Sequence, residues 1–235
     1  MSKGKSNVDD ISGVDRSPNL PIDEIENERQ TLVNLVIDCS GSMSGYVQTM
    51  VGCLESFKQA IKNSKQEDEM LVAITRFGIR SGVEYEGYQL VNSMSTSYSA
   101  DGMTPLYDAV CGVQERLYDG QDNGYMEELV QEGIKVKGIV VILSDGCEND
   151  SKYHDLQDSR RAIDLLCKQE IIVAFVAFGG EARDEADRLG VDPQNIMETD
   201  ASESELRRIF DIVSKSAISA SKNAAVGQSQ SAFFV

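Results

Sequence analysis

Short apolar runs that alternate with longer stretches of helical period constrain this chain more than any other feature. The runs lie at 32–37, 70–77, 83–90, 138–143, 171–178 and, more briefly, 195–198. Parallel strands cannot be joined by tight turns, so each must cross over through a longer connection, usually a helix, and alternation is the trace this leaves in a sequence. The first, fourth and fifth runs lack polar alternation, as strands covered on both faces do. Between the runs, Val47, Met50, Val51, Leu54, Phe57 and Ile61 mark one face of a helix, and Leu106, Ala109, Val110, Val113 and Leu117 mark another. A third helix passes through Ile163 and Leu166. A fourth carries Leu206, Ile209, Phe210 and Val213 at i, i+3, i+4, i+7, behind Ser202 and Glu205 in capping-box spacing. The runs at 70–77 and 83–90 are separated only by 78–82, too short for a crossover, which predicts an antiparallel hairpin at one sheet edge. The expected fold class is therefore α/β: a doubly wound, mostly parallel central sheet with one antiparallel edge strand and helices on both faces.

Residues 1–30 hold seven acids and four bases with almost no apolar periodicity, which predicts a flexible polar leader and a folded domain over 31–217. Residues 218–235 are rich in Ser, Ala, Asn and Gln and then close on Phe233-Phe234-Val235, a flexible tail with an apolar end. That end suits a partner's groove, the chain's own domain, or simple fraying. The net charge is −17; the leader carries −3 and the tail +1, so −15 belongs to 31–217. Such acidity disfavours nucleic acid and anionic membrane surfaces as partners. No apolar run approaches the ~18 residues of a membrane span, and the first residues do not read as a signal peptide. Cys39, Cys53, Cys111, Cys147 and Cys167 are an odd set without CxxC spacing, the usage of reduced thiols. The expected location is cytoplasmic.

Ligands of open α/β sheets bind outside the carboxyl ends of the strands. The first strand runs into Asp38-Cys39-Ser40-Gly41-Ser42-Met43-Ser44, and the fourth into Ser144-Asp145-Gly146. A third segment, Asp101-Gly102-Met103-Thr104-Pro105, precedes a helix, with Thr104 suited to its N-cap and Pro105 to its first turn. These segments offer hard oxygen atoms and no imidazole, a set suited to Mg²⁺ or Mn²⁺.

The pattern resembles the metal-ion-dependent adhesion site of the von Willebrand factor A family. Its D-x-S-x-S motif is met by Asp38, Ser40 and Ser42, its second-loop threonine by Thr104 and its third-loop aspartate by Asp145. The resemblance implies a metal held by these five residues, three hydroxyls and two carboxylates, with one coordination position open to a carboxylate from a protein partner. It further resembles the cytosolic bacterial tellurium-resistance type, through Thr104-Pro105-Leu106-Tyr107-Asp108-Ala109, Asp145-Gly146-Cys147-Glu148-Asn149-Asp150 and Ser214-Lys215-Ser216-Ala217. That likeness implies a bacterial stress or defence system with kinase or phosphatase partners.

Other chemistries fit less well. Asp, Ser and Gly after a strand also serve any tight strand-to-helix turn, and the flanking Asp101, Asp108, Glu148 and Asp150 read as solvated loop acids. His154, the only histidine, lies in a polar stretch, which removes a histidine-centred triad. Gly41-Ser42-Met43-Ser44-Gly45 has Met43 where a nucleophile elbow requires serine. Neither glycine-rich phosphate motif occurs. A Mg²⁺-dependent phosphohydrolase with Asp38 as nucleophile is the rival from another class; Ser40 stands where such enzymes place a second aspartate. A structural adaptor indifferent to metal is the third reading. The expectation is a binding module, not an enzyme.

Overall fold

The computed structural model describes residues 13–66, 69–121, 123–200, 202–225 and 232–234. At its centre β2 (Arg29–Asp38) is buried from Gln30 onward. On one side it pairs in parallel with β3 (Met70–Phe77), and on the other with β5 (Lys135–Ser144). Next come β6 (Ile172–Phe178) and the short β7 (Ile196–Thr199), both parallel. Beyond β3 lies β4 (Val83–Leu90), antiparallel to it as the short connection requires. The fold is the expected mostly parallel, doubly wound α/β sheet.

Its faces are covered by two separate apolar layers. Alternate residues of β2 divide between them: Val33, Leu35 and Ile37 face α1 (Val47–Lys62) and α6 (Glu203–Ala225), while Leu32 and Val36 belong to the layer under α2 (Leu106–Leu117), α4 (Leu156–Lys168) and α5 (Gly180–Leu189). This double coverage is why the central strands carry no polar alternation.

Three expectations need correction. First, β4 is not the sheet edge. Residues Gly13–Ser17, expected in the leader, form β1 and pair in parallel with β4, and Leu20, Ile22 and Ile25 pack against the core. Edge pairing draws on backbone groups, so a segment with one apolar residue joins without a hydrophobic signature. Second, two helices went unforeseen: α3 (Tyr125–Gln131), of 7 residues, and α5. α5 follows Gly179, reads as charged, and buries the small Ala182 and Ala186 beside Leu189. Third, 218–225 is not tether but the last turns of α6, where Ala220 is buried and Thr31 Oγ1 donates to Ser221 Oγ at 3.1 Å. Small side chains there let the helix lie close to β2. Phe233 is fully buried, and its N–H donates to Asn195 Oδ1 at 2.7 Å. Of the three fates open to the apolar end, folding back on its own domain is the one observed. The leader residues 1–12 and tail residues 226–231 lie outside the described residues.

A buried ion pair crosses the hairpin: Arg76 Nη1 and Glu86 Oε1 are 2.7 Å apart, with 1% and 6% exposure. All five cysteines are free. Cys39 and Cys147 do not meet: Cys39 is packed into the α1/α6 layer, with burial pushing its thiol up to about 12, while Cys147 Sγ donates to the Glu181 carbonyl at 3.4 Å.

Candidate metal centre

The carboxyl ends of β2 and β5 are neighbours in the sheet, so Asp38 and Asp145 come together by strand order alone. Asp38 is the last residue of β2 and is fully buried; Asp145 follows β5 and is half-buried. A single run of hydrogen bonds joins the first loop to the third. Ser42 Oγ donates to Asp145 Oδ1 at 2.8 Å, and Ser40 Oγ lies 2.9 Å from Ser42 Oγ. A hydroxyl has one proton, so Ser42, already donating, accepts from Ser40. Asp38 Oδ1 accepts the Ser40 N–H at 2.8 Å and its Oδ2 accepts from Ser144 Oγ at 2.6 Å. Ser144, buried at the end of β5, was not foreseen as part of the site; a polar residue closing the apolar run 139–143 was its only signal.

The loop bearing Thr104 is seated against both others. Asp101 N donates to the Cys39 carbonyl at 2.8 Å, Gly41 N to the Gly102 carbonyl at 3.0 Å, and Asn149 N to the Thr104 carbonyl at 3.1 Å. Glycine makes this approach possible. A Cβ on Gly78, φ +110°, would stand 2.5 Å from Ser40 N, and one on Gly102, φ +87°, would stand 2.3 Å from the Gly78 carbonyl oxygen. Thr104 is buried but does not cap α2, which starts at Leu106 with Pro105 in the cap position. Glu148 takes the capping role, its Oε2 accepting the Tyr107 N–H at 2.9 Å. The other flanking acids are also engaged locally or exposed. Asp108 accepts the N–H groups of Lys152, Tyr153 and His154, together with a 3.0 Å contact from His154 Nδ1; Asp101 is exposed and Asp150 faces Lys152 at 3.9 Å.

The electrostatics favour a cation. Burial pushes the Asp38 carboxyl up to about 6, against the stabilising bonds from Ser144 and Ser40, and the nearby Asp145 charge adds to the rise. Asp145 is raised as well, again by burial. Among the described residues no cationic side chain pairs with either. No three His, Cys, Asp or Glu side chains among the described residues gather to hold a metal ion; the site has two carboxylates and depends on hydroxyls for its remaining donors. All-oxygen donors with two uncompensated carboxylates fit Mg²⁺ or Mn²⁺, which tolerate retained waters.

Residues 33–212 match the von Willebrand factor type A domain, more than half of the chain. The chain belongs to that family. Solved structures similar to this von Willebrand factor type A domain include the pilus adhesin SpaC from Lactobacillus rhamnosus GG in its open conformation, with TM-score 0.60 and 13% identity over 81% of this chain and 30% of that one. Proximal thread matrix protein 1 from the mussel byssus gives TM-score 0.55 and 16% identity over 81% of this chain and 46% of that one. The manganese-loaded TRAP protein of Plasmodium vivax gives 0.50 and 17% over 78% and 74%. At such identities the likeness is one of fold. The chain spans 30% of the adhesin's length and 46% of the thread protein's. No curated protein sequence matches it. Von Willebrand factor type A domains commonly mediate protein–protein interaction and adhesion.

Proposed function

We propose that this domain is a divalent-metal-dependent protein–protein interaction module that captures an Asp or Glu side chain of a partner at the edge formed by Asp38, Ser40, Ser42, Thr104 and Asp145. The observation that carries the reading is the hydrogen-bonded run from buried Asp38, through the Ser40 N–H and the Ser40 and Ser42 hydroxyls, to Asp145, with no cationic side chain paired to either carboxylate among the described residues. A bound Mg²⁺ or Mn²⁺ supplies positive charge and a coordination position that an incoming carboxylate occupies in place of water. The chain's own residues grade the site for this purpose: Asp38 anchors from the buried side, whereas Ser42 is exposed at the mouth. In a domain carrying −15, an acidic ligand is repelled unless a cation reverses the local sign. The manganese-loaded relative supports the choice of metal. A cytoplasmic setting and a bacterial stress or defence role of the tellurium-resistance type, with kinase or phosphatase partners, complete the proposal; they rest on the sequence resemblance.

The phosphohydrolase alternative draws no support from the geometry. A nucleophilic Asp38 must reach an incoming phosphorus directly, and Asp38 is 0% exposed. The lone imidazole is held by Asp108.

Calorimetry with Mg²⁺ and Mn²⁺ tests the metal, and capture from native lysate in Mg²⁺ against EDTA tests the partner. Metal at one hundred times its dissociation constant is expected to stabilise the fold by about 2.7 kcal/mol, and the Asp38→Ala, Asp145→Ala pair to abolish the gain. Thr104→Ala is expected to weaken capture with the fold intact. Capture that is indifferent to EDTA and to Thr104→Ala establishes the metal-independent adaptor instead; phosphoester turnover dependent on Asp38 establishes the enzyme.

A further inference from the structure

The loop that carries Asp145 does more than deliver a carboxylate. Four residues on, Asn149 makes two hydrogen bonds to a single residue: its Oδ1 accepts the Thr104 N–H at 2.7 Å, and its own N–H donates to the Thr104 carbonyl at 3.1 Å. The neighbouring Glu148 is itself braced. Its Oε1 accepts the N–H groups of Asp150 and Ser151 at 2.8 and 2.6 Å, and its Oε2 accepts from Ser151 Oγ at 2.7 Å as well as from Tyr107 N. The stitching runs the other way too, because Asp108 on α2 accepts three successive N–H groups from 152–154 and its own N–H donates to Ser151 Oγ at 3.1 Å. The start of α2 and the loop after β5 therefore hold each other from both sides. Among the described residues, only Asn149 hydrogen-bonds Thr104.

We propose that Asn149 is a positioning residue of the metal site. It fixes the Thr104 backbone to the Asp145 loop, so that the Thr104 hydroxyl and the Asp145 carboxylate meet a cation as one rigid pair. The inference rests on reading the site as a metal centre. The physical reason lies in how little else directs Thr104. Its N–H and C=O both go to Asn149, and its side chain makes no hydrogen bond among the described residues, so where the hydroxyl starts from is set by the backbone that Asn149 holds. A ring closed by two hydrogen bonds resists rotation in a way that one bond does not. Removing a partner that orients a metal ligand typically costs about 10–100-fold in metal affinity. Asn149 itself is exposed, so its role is not packing.

A helix-start brace and a positioning residue are separable. If Asn149 only braces α2, Asn149→Ala lowers the melting temperature of the metal-free protein and leaves metal affinity alone. As a positioning residue, it is expected to lose about tenfold in Mg²⁺ or Mn²⁺ affinity by calorimetry, with a smaller effect on metal-free melting. Asn149→Asp keeps the Oδ1 acceptor and is expected to restore the affinity. Without metal, hydrogen exchange at the Thr104 amide is expected to quicken in Asn149→Ala and to stay at the wild-type rate in Asn149→Asp. Asn149→Ser, too short to reach Thr104 N, replaces the alanine variant should that one not fold. Equal metal affinity in wild type and Asn149→Ala, or unchanged Thr104 exchange, overturns the inference while leaving the metal site standing. Absence of binding heat for both metals in the wild type overturns both.

Discussion

Truncating Phe233 is expected to release the whole end of the chain, and the stability lost is bounded by what holds that end in place. Phe233 is fully buried among the residues of the α1/α6 layer, meets Phe234 edge-on at 5.1 Å between ring centroids, and donates its N–H to buried Asn195 at 2.7 Å. An aromatic of this size hides about 200 Å², or about 5 kcal/mol at ~25 cal/mol per Å². The half-buried Phe234 contributes about 2 kcal/mol more, and the hydrogen bond to Asn195 about 1 kcal/mol. Ordering residues 232–234 costs about 1.5 kcal/mol each. The net stabilisation is therefore about 3.5 kcal/mol, less than the gross loss of ~4 kcal/mol expected for a buried Phe→Ala change. Phe233→Ala thus does not leave a cavity under a docked tail; it undocks the tail. Thermal melts are expected to fall by about 7–14 °C, and Phe233→Ala is expected to coincide with deletion of Ala232 to Val235. Melts of the deletion variant that superimpose on wild type refute the docking argument. A Phe233→Ala loss well beyond that of the deletion refutes the bound.

Two further outcomes follow from buried charge. The Asp38 carboxyl titrates at about 6 in the fold against an ordinary 3.8, so the folded state takes up its proton first. Its ionised form opposes folding fully above about pH 6, and the opposition fades as pH falls toward about 4. Metal-free wild type is expected to gain stability relative to Asp38→Asn on going from about pH 7.5 to 5, with saturating Mg²⁺ reversing the trend, since a cation favours the ionised carboxylates; a metal-free difference independent of pH contradicts this. For the ion pair under the hairpin, Arg76→Met alone strands a buried carboxylate and is expected to cost about 3–5 kcal/mol in urea unfolding. Adding Glu86→Leu is expected to recover most of it, and a double variant as unstable as the single one contradicts the cause.

The central strands and the sheet edge that carries the site were legible in the sequence. Continuous apolar runs at β2, β5 and β6 had to be covered on both faces, and five residues between β3 and β4 left no length for a crossover, so topology followed from burial and reach. Asp38, Ser40 and Ser42 were legible because a strand of fixed direction delivers whatever follows it to a known edge. What stayed hidden is carried by groups with no periodic signature. β1 joins through backbone hydrogen bonds to β4, which one apolar residue in five does not announce. α5 is held by small side chains behind a glycine pair, which reads as a turn. Ser144, Glu148 and Asn149 enter the site only because β2 lies beside β5 and α2 begins against the loop after β5, distances of 106, 41 and 45 residues along the chain. Phe233 had three fates open in sequence; its docking is visible only in the fold, because Asn195, which accepts its N–H, lies 38 residues away and the apolar layer around it is assembled from strands and helices distant along the chain.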